Sequence, residues 1–440
     1  MLGRCPKGME RYVLVCAACK RIYADDGLRL HCDEAHEPAL LQTRYSPGRI
    51  AIDERSVGLA RFSSLLPRRY DPLPQVAYSA TYRSKVLAQE LGLDELWIAF
   101  SGYWPERGAY APTATFKDVE AAAITARFAR EKRIMVTASA GNTAAALALA
   151  CHDAELPVRI VTPRRAFERL PLSRTLSRNV QFIVLEGDAT YDDAIALSRA
   201  LASDEPFAFE GGVWNVARRD GIGTIFLGAV EKIGRLPDSY IQGIGSGAGA
   251  LAAYEASLRL IADGRFGQSL PQLMLVQNAP MSPVVDAWNA RSPHLLASTD
   301  AKQRAATAGV AAPVLATSGP PYAVRGGLFD VLSASNGRTV AASNRDAHES
   351  MAQFERCEGI DIDAAAGVAL AGLRAQVISG AIDPHSCVLL HVTGGGRSQL
   401  PGSQRFAPYI AATLQPAEMP LSEDGLRRLR ENLHRHAQAA

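Results

Sequence analysis

Short apolar runs alternate with helix-like stretches from about residue 80 onward. The runs that predict strands are 96–100, 134–138, 158–162, 180–185, 240–244, 272–276 and 388–392. The stretches that predict helices are 84–91, 116–130, 143–152, 192–201, 250–262 and 364–376. This alternation is typical of parallel sheets covered by helices, so it predicts an α/β fold.

The length and the composition divide the chain further. At 440 residues it is longer than one hydrophobic core normally organises, so we expect at least two domains. The first 45 residues are rich in cysteine, histidine and charge, and they predict a separate module. Residues 46–75 are rich in proline and arginine, which is typical of a connector.

The charge balance argues against several classes of partner. Lysine and arginine number 47 and aspartate and glutamate 45, which gives no electrostatic reason to expect nucleic acid or a membrane surface. No apolar run approaches the roughly 18–20 residues that span a bilayer. Residues 1–12 are charged and lack the apolar core of a secretion signal, so we expect a cytoplasmic protein. An odd number of clustered cysteines without such a signal also argues against a disulfide framework.

Lys117 stands at the start of the predicted helix 116–130, within the segment TATFKD (113–118). It is one of only seven lysines in the chain, so a lysine-dependent chemistry has few candidates. A lysine that opens a helix can be held rigidly at a cleft, as a Schiff-base lysine must be. The helix dipole and partial burial both disfavour its ammonium form. Taken alone, the motif is more typical of a solvated first-turn lysine.

The segment SAGNT (139–143) follows one predicted strand and opens the next helix. Its backbone N–H groups and hydroxyls predict an anion site that suits a carboxylate. The amide of Asn142 could hydrogen-bond an aromatic hydroxyl. An ordinary capped strand–turn–helix has the same pattern.

Two more glycine-rich turns follow predicted strands. In GSGAG (245–249) the backbone can approach a phosphate closely, and the hydroxyl of Ser246 can donate. The spacing differs from the Gly-x-Gly-x-x-Gly of dinucleotide-binding folds, which disfavours a nicotinamide cofactor. In TGGG (393–396) the hydroxyl of Thr393 could bind a ring nitrogen.

The order and spacing of these four motifs resemble the fold-type II pyridoxal 5′-phosphate (PLP) enzymes, in particular the threonine synthase and cysteate synthase branch. The segments TYRS (81–84) and EGI (358–360) extend the resemblance over most of the chain. It implies a tryptophan synthase β-like fold with two open parallel-sheet domains, and a homodimer. The implied parts are a zinc-ribbon-like module 1–45, a large PLP-binding domain 46–120 and 213–440, and a small α/β domain 121–212.

The resemblance also implies roles for single residues. Lys117 would form the internal aldimine and act as the base that removes the α-proton. Asn142 would contact the cofactor's O3′, and Thr393 its pyridine nitrogen. The cofactor phosphate would lie on the turn formed by Gly245, Ser246, Gly247, Ala248 and Gly249. The substrate carboxylate would be held by Ser139, Gly141 and Thr143.

Four potential metal ligands lie in two pairs near the N-terminus: Cys16, Cys19, Cys32 and His36. Their spacing suits a structural tetrahedral zinc site. Relatives in the resembling branch carry a similar module with a cysteine in place of His36, so His31 and Cys5 are alternative ligands. A metal-free knuckle is the other interpretation, although without metal these polar residues would have little core.

The residues after the lysine bear on the reaction. Threonine synthases usually have an arginine two positions after this lysine, whereas VEA (119–121) follows here. This continuation and the loop GYWPERGA (102–109) look more like cysteate synthases, which form cysteate from O-phosphoserine and sulfite. Arg107 is therefore the first candidate to bind the phosphate or sulfite of a small anionic substrate. Further candidates that the sequence does not rank are Arg83, Arg325 and Arg397.

We thus expect a PLP-dependent β-replacement on an activated serine, through an aminoacrylate intermediate. Three alternatives remain at this stage. The first is a threonine synthase that converts O-phosphohomoserine and water to threonine. The second is a cysteine synthase-like or diaminopropionate-forming replacement. The third belongs to another class, a non-catalytic zinc-ribbon interaction protein on an enzyme scaffold.

Overall fold

The computed structural model describes residues 11–46, 48–68, 77–129, 133–139, 141–170, 172, 174–401, 408–415 and 422–438. The strands in chain order are β1 Tyr12–Cys16, β2 Ile22–Tyr23, β3 Leu41–Tyr45, β4 Ala80–Arg83, β5 Glu95–Phe100, β6 Ile134–Ala138, β7 Val158–Pro163, β8 Val180–Leu185, β9 Phe207–Phe209, β10 Ser239–Gly243, β11 Gln272–Asn278, β12 Arg338–Ala342, β13 Cys387–Val392 and β14 Ile410–Leu414. The α-helices are α1 Gly58–Arg61, α2 Val86–Leu91, α3 Lys117–Arg127, α4 Asn142–Asp153, α5 Arg164–Phe167, α6 Tyr191–Leu201, α7 Val216–Ile233, α8 Ala248–Asp263, α9 Pro283–Asn289, α10 Asp300–Ala308, α11 Leu328–Ala334, α12 Asn344–Glu358, α13 Ala364–Ile378 and α14 Glu423–Gln438.

The larger sheet has six strands in the order β12-β11-β10-β13-β5-β4. Only β4 is antiparallel to its neighbour, and the other pairs are parallel. Alternate side chains of β11 enter different cores, because Leu273 and Leu275 face α7 and α8 whereas Met274 and Val276 face α13. The sheet is therefore buried on both faces, as the continuous apolar runs predicted.

The smaller sheet has five parallel strands in the order β14-β8-β7-β6-β9. Helices cover both of its faces, with α4 on one side and α6 on the other. The two-sheet α/β architecture predicted from the sequence is confirmed.

One segment lies in a different sheet from the one we expected. The sequence analysis assigned all of 213–440 to the large domain, but β14 pairs in parallel with β8 of the smaller sheet. Leu426, Leu429 and Leu433 of α14 pack against the same sheet. Parallel pairing with a strand more than two hundred residues away leaves no local pattern in the sequence. The remaining domain limits stay a prediction.

The N-terminal residues form a small antiparallel sheet in the order β2-β1-β3. This module docks on the ends of two helices through buried charges. Asp25 accepts two hydrogen bonds from Arg127 at the end of α3, at 2.7 and 2.9 Å. Asp220 of α7 accepts hydrogen bonds from Thr43 at 2.5 Å and from Tyr45 at 2.6 Å. The module is thus fixed to the two helices that lie behind the lysine motif.

Helix α7 was not predicted from the sequence. Three glycines, Gly221, Gly223 and Gly228, lower its intrinsic helix propensity, and its residues are nearly all buried. At Gly221 an added Cβ would lie 2.5 Å from the Cβ of Ala123, so this glycine lets α7 approach α3 closely. Tertiary packing therefore overrides local propensity here.

We expect Gly221→Ala to lower the apparent melting temperature. The added methyl would force α3 and α7 apart, at about 1–3 kcal/mol. Gly223→Ala is the matched control, because its Cβ would meet only ordinary contacts at 3.5 and 3.7 Å and alanine favours the helix. Thermal unfolding of both variants tests this, and equal melting temperatures would contradict it.

Candidate active site

The turn that carries Lys117 packs directly on the last glycine-rich turn. The N–H of Phe116 donates to the carbonyl of Thr393 at 3.0 Å, and the N–H of Gly395 donates to the carbonyl of Ala114 at 3.0 Å. Two motifs that lie about 275 residues apart in the sequence are therefore adjacent in the fold.

Asp118 fixes the same turn from inside. Its buried carboxylate accepts hydrogen bonds from the N–H of Thr113 at 2.8 Å and from its hydroxyl at 3.0 Å. Burial raises the pKa of Asp118 to about 7, although these hydrogen bonds oppose the change. The side chain therefore anchors the turn and does not point at the amine of Lys117.

The amine of Lys117 lies in a nearly closed environment. Its side chain is 17% exposed, and Nζ donates to Glu120 Oε2 at 2.7 Å. Burial is the main effect and lowers the pKa of Lys117, Arg218 lowers it further, and Glu120 opposes both. The neutral amine, which attack on an aldehyde requires, is therefore reached at lower pH than for a free lysine.

Sequence reasoning missed the charges around this amine. Glu120 is paired with Arg218, and Arg218 also donates to Glu210 Oε2 at 2.7 Å. All three side chains are at least nine-tenths buried. Glu120 was detectable, since positions three apart lie on one helix face. Arg218 and Glu210 are distant in sequence and had no local signal.

The SAGNT segment joins the lysine through side chains. Ser139 is buried at the end of β6, and Asn142 begins α4. The hydroxyl of Thr143 donates to Glu120 Oε1 at 3.3 Å. Arg397, just after the TGGG turn, donates to Asn142 Oδ1 at 3.4 Å. The segment thus contacts Glu120, the partner of Lys117, and the arginine that follows the TGGG turn.

The GSGAG turn ends β10 and begins the 16-residue helix α8. Gly247 has φ 77°, which an L side chain rarely adopts. An added Cβ would lie 2.6 Å from Leu328 at Gly247 and 3.1 Å from the Cα of Leu315 at Gly245. The turn is therefore closely packed from behind. The first N–H groups of a helix have no acceptor within the helix, so the start of α8 suits an anion, as the sequence predicts.

One loop packs against both the GSGAG turn and the SAGNT segment. Residues 313–317 contact both, since Cβ atoms added at Gly245 and Gly141 would lie 3.1 Å from Thr317 and 3.3 Å from Val314. Through this loop the GSGAG and SAGNT segments lie close to each other, and SAGNT also contacts the lysine motif, which packs on the TGGG turn. We refer to the region where these four segments meet as the candidate cleft.

The four arginine candidates occupy different places. Arg107 is exposed, and its guanidinium lies 4.6 Å from the ring of Tyr82 and 4.9 Å from that of Trp104. Arg83 donates to a backbone carbonyl, and Arg325 is an exposed partner of Asp330. Of these four, Arg397 is the one with a contact to a motif residue within the described part of the chain.

Comparison with known proteins shows the family to which the chain belongs. A family model described as pyridoxal-phosphate dependent enzyme matches residues 81–394, which include the first three motifs and the first two residues of TGGG. The chain belongs to this family. It is therefore an enzyme, and the non-catalytic alternative is wrong. The family implies pyridoxal phosphate as the cofactor.

Curated members of this PLP-dependent family are similar over almost the whole chain. The cysteate synthase of Methanosphaerula palustris is 43% identical over 95% of this chain and 97% of its own. That of Methanoculleus marisnigri is 42% identical over 88% and 89%. The predicted resemblance to this branch is thus confirmed.

Solved structures support the fold alone. Threonine synthase from Escherichia coli aligns with a TM-score of 0.61 over 96% of this chain and 99% of its own, at 14% identity. Maize serine racemase aligns with a TM-score of 0.56 over 72% and 88%, at 17% identity. The predicted fold-type II architecture is confirmed.

The residues of the cleft fit the family's cofactor. A largely buried lysine with a lowered pKa, a helix N-terminus behind a glycine turn and the buried Thr393 offer partners for an aldehyde, a phosphate and a ring nitrogen. The individual roles of Asn142 and Thr393 stay predictions.

The fold also brings together the four predicted metal ligands near the N-terminus. The ligand atoms of Cys16, Cys19, Cys32 and His36 all lie within 4.8 Å of one another. His36 places Nδ1 2.6 Å from the carbonyl of Glu37, which leaves Nε2 directed at the cysteines. The donor set therefore suits a tetrahedral zinc ion.

The two alternative ligands are not in this cluster. His31 packs its ring 4.9 Å from that of Trp214. Cys5 lies outside the described residues. Among the helices that the structure describes, none has the length and apolar character needed to cross a membrane.

We expect Lys117→Ala to abolish the visible absorbance of the bound cofactor, because that absorbance requires a covalent link to a lysine amine. Lys85→Ala is the control, since this exposed lysine precedes α2. Absorption spectra of the purified full-length variants with added pyridoxal phosphate measure the effect. A retained spectrum in Lys117→Ala would assign the link to another lysine.

Proposed function

We propose that the protein is a cysteate synthase, which converts O-phosphoserine and sulfite to cysteate and phosphate. The observation that carries this proposal is the 43% identity to a cysteate synthase over 95% of the chain. The VEA continuation supports it, because Val119 stands where threonine synthases usually have an arginine.

The reaction is a replacement at Cβ without net oxidation. The Cβ–O bond to phosphate breaks with its electron pair, and the sulfur lone pair of sulfite forms the new Cβ–S bond. Bound pyridoxal phosphate supplies an electron sink for the α-carbon. The chain's own part is to take the α-proton onto Lys117 Nζ and return it to Cα after sulfite has added, and to bind the substrate carboxylate at Ser139, Gly141 and Thr143.

Both substrates are anions, so a cation near the cleft is required. We propose Arg397 for this role in preference to Arg107. Arg397 contacts Asn142 and is held by a bidentate pair with Asp363, at 2.6 and 2.9 Å. Arg107 is instead exposed on aromatic rings.

The substrate proposal predicts that phosphate release from O-phosphoserine is accompanied by cysteate only when sulfite is present. Phosphate assays and product analysis by mass spectrometry measure this with the full-length enzyme. Threonine formed from O-phosphohomoserine would favour the threonine synthase alternative. Cysteine or diaminopropionate formed with sulfide or ammonia would favour the third reaction.

We also propose that the N-terminal cluster binds a structural zinc ion. Purified protein should contain about one zinc ion per chain, since the site supplies four ligands and leaves no open position. Cys19→Ser should lose the metal, whereas Cys357→Ser, outside the cluster, should keep it. Metal analysis of both variants tests this, and equal zinc contents would contradict it.

The proposed zinc ion holds the module that supplies Asp25 to Arg127. We therefore expect loss of the zinc ion to lower the thermal stability of the whole enzyme as well. The homodimer implied by the resemblance stays a prediction.

A further inference from the structure

Glu120 stands where three donors meet. Its Oε2 accepts from Lys117 at 2.7 Å, and its Oε1 accepts from Thr143 at 3.3 Å and from Arg218. The side chain is fully buried. A buried carboxylate is costly unless it is paired with positive charge. The basic side chains of Lys117 and Arg218 therefore stabilise Glu120 in this position.

The charged and titratable groups face Lys117 from several elements. Glu120 belongs to its own helix α3, and Arg218 belongs to α7. Glu210 precedes α7 and holds the other side of Arg218, at 2.7 Å. Tyr191 of α6 lies close enough to interact electrostatically with these three. Farther away, Asp118 faces Thr113.

A second ion pair of the described residues lies near Asn142. Arg397 is paired with Asp363 and donates to Asn142 rather than contacting Lys117. The charges that act most directly on the amine are therefore those of Glu120 and Arg218, and they have opposite signs.

The two charges have opposite effects on the amine. Glu120 alone would hold Lys117 as an ammonium ion, which cannot attack an aldehyde. Arg218 repels that positive charge and also binds Glu120. Arg218 and Lys117 hold the pKa of Glu120 below its usual value, although burial would raise it, so this carboxylate stays ionised as an acceptor.

We propose that Glu120 and Arg218 act as a pair on the amine of Lys117. Glu120 holds the amine in place, and Arg218 keeps that carboxylate from locking it in the charged form. This inference rests on the proposed role of Lys117 and deepens it. Glu120 touches the reacting atom, whereas Arg218 is a positioning residue that acts through Glu120 and through its own charge.

The proposal predicts shifts of opposite sign. Glu120→Gln removes the negative charge and keeps the size, so the amine should lose its proton at lower pH. Arg218→Gln removes the positive charge, so the amine should keep its proton to higher pH. Each shift should be about one pH unit, the usual effect of one close charge.

The measurement is the rate at which added pyridoxal phosphate forms its visible lysine adduct on the full-length chain, followed over about pH 6 to 10. The pH of half-maximal rate reports the amine of Lys117. If Arg218→Gln fails to fold because two carboxylates then face each other, Arg218→Gln with Glu210→Gln removes one charge of each sign and should shift in the same direction.

Glu255→Gln is the matched control. Glu255 is a buried carboxylate that pairs with Arg219, the next residue on α7, at 3.0 Å. In Glu255→Gln, the pH of half-maximal adduct formation should equal that of the unaltered chain. The inference would be overturned if the pH of half-maximal adduct formation were the same in all variants. It would also be overturned if Glu120→Gln and Arg218→Gln shifted that pH in the same direction. An adduct that persists in Lys117→Ala would instead overturn the proposed role of the lysine itself.

Discussion

A buried row of alternating charges organises this enzyme: Lys117, Glu120, Arg218 and Glu210. Each of its interior members lies between two groups of opposite charge, so none can move without leaving a neighbour unpaired. Breaking a buried pair costs about 3–5 kcal/mol, which is a large part of the stability of a domain. The row joins α3 to α7 and to the end of β9, and so it fixes the lysine relative to both sheets.

The sequence predicted the local parts of the site well. Each motif is a strand, a turn and a helix, and the glycines and hydroxyls that mark such turns are contiguous in the chain. The meeting of TATFKD with TGGG followed from the family resemblance and not from periodicity. Arg218 was not predicted as a site residue because it lies on α7. Glycines that allow α7 to pack closely against α3 weaken the helical pattern there.

Position in the sequence was also a poor guide to the arginines. Arg107 is ten residues from Lys117 along the chain, yet the loop turns it onto Tyr82 and Trp104. Arg397 is far away in sequence but follows the turn on which the lysine motif rests. Contacts made through a sheet edge depend on strand order, and no local pattern encodes that order.

The docking of the N-terminal module has a consequence for how the enzyme could have evolved. Arg127 ends the same helix that Lys117 begins, and its buried guanidinium is held by Asp25 of the module. Asp220, which is paired with Arg259, also accepts hydrogen bonds from Thr43 and Tyr45 of the module. A lineage that lost the module would retain these groups in the core without those partners. Its loss would therefore have to be accompanied by replacements on α3 and α7, so the module and the two helices are expected to change together between relatives.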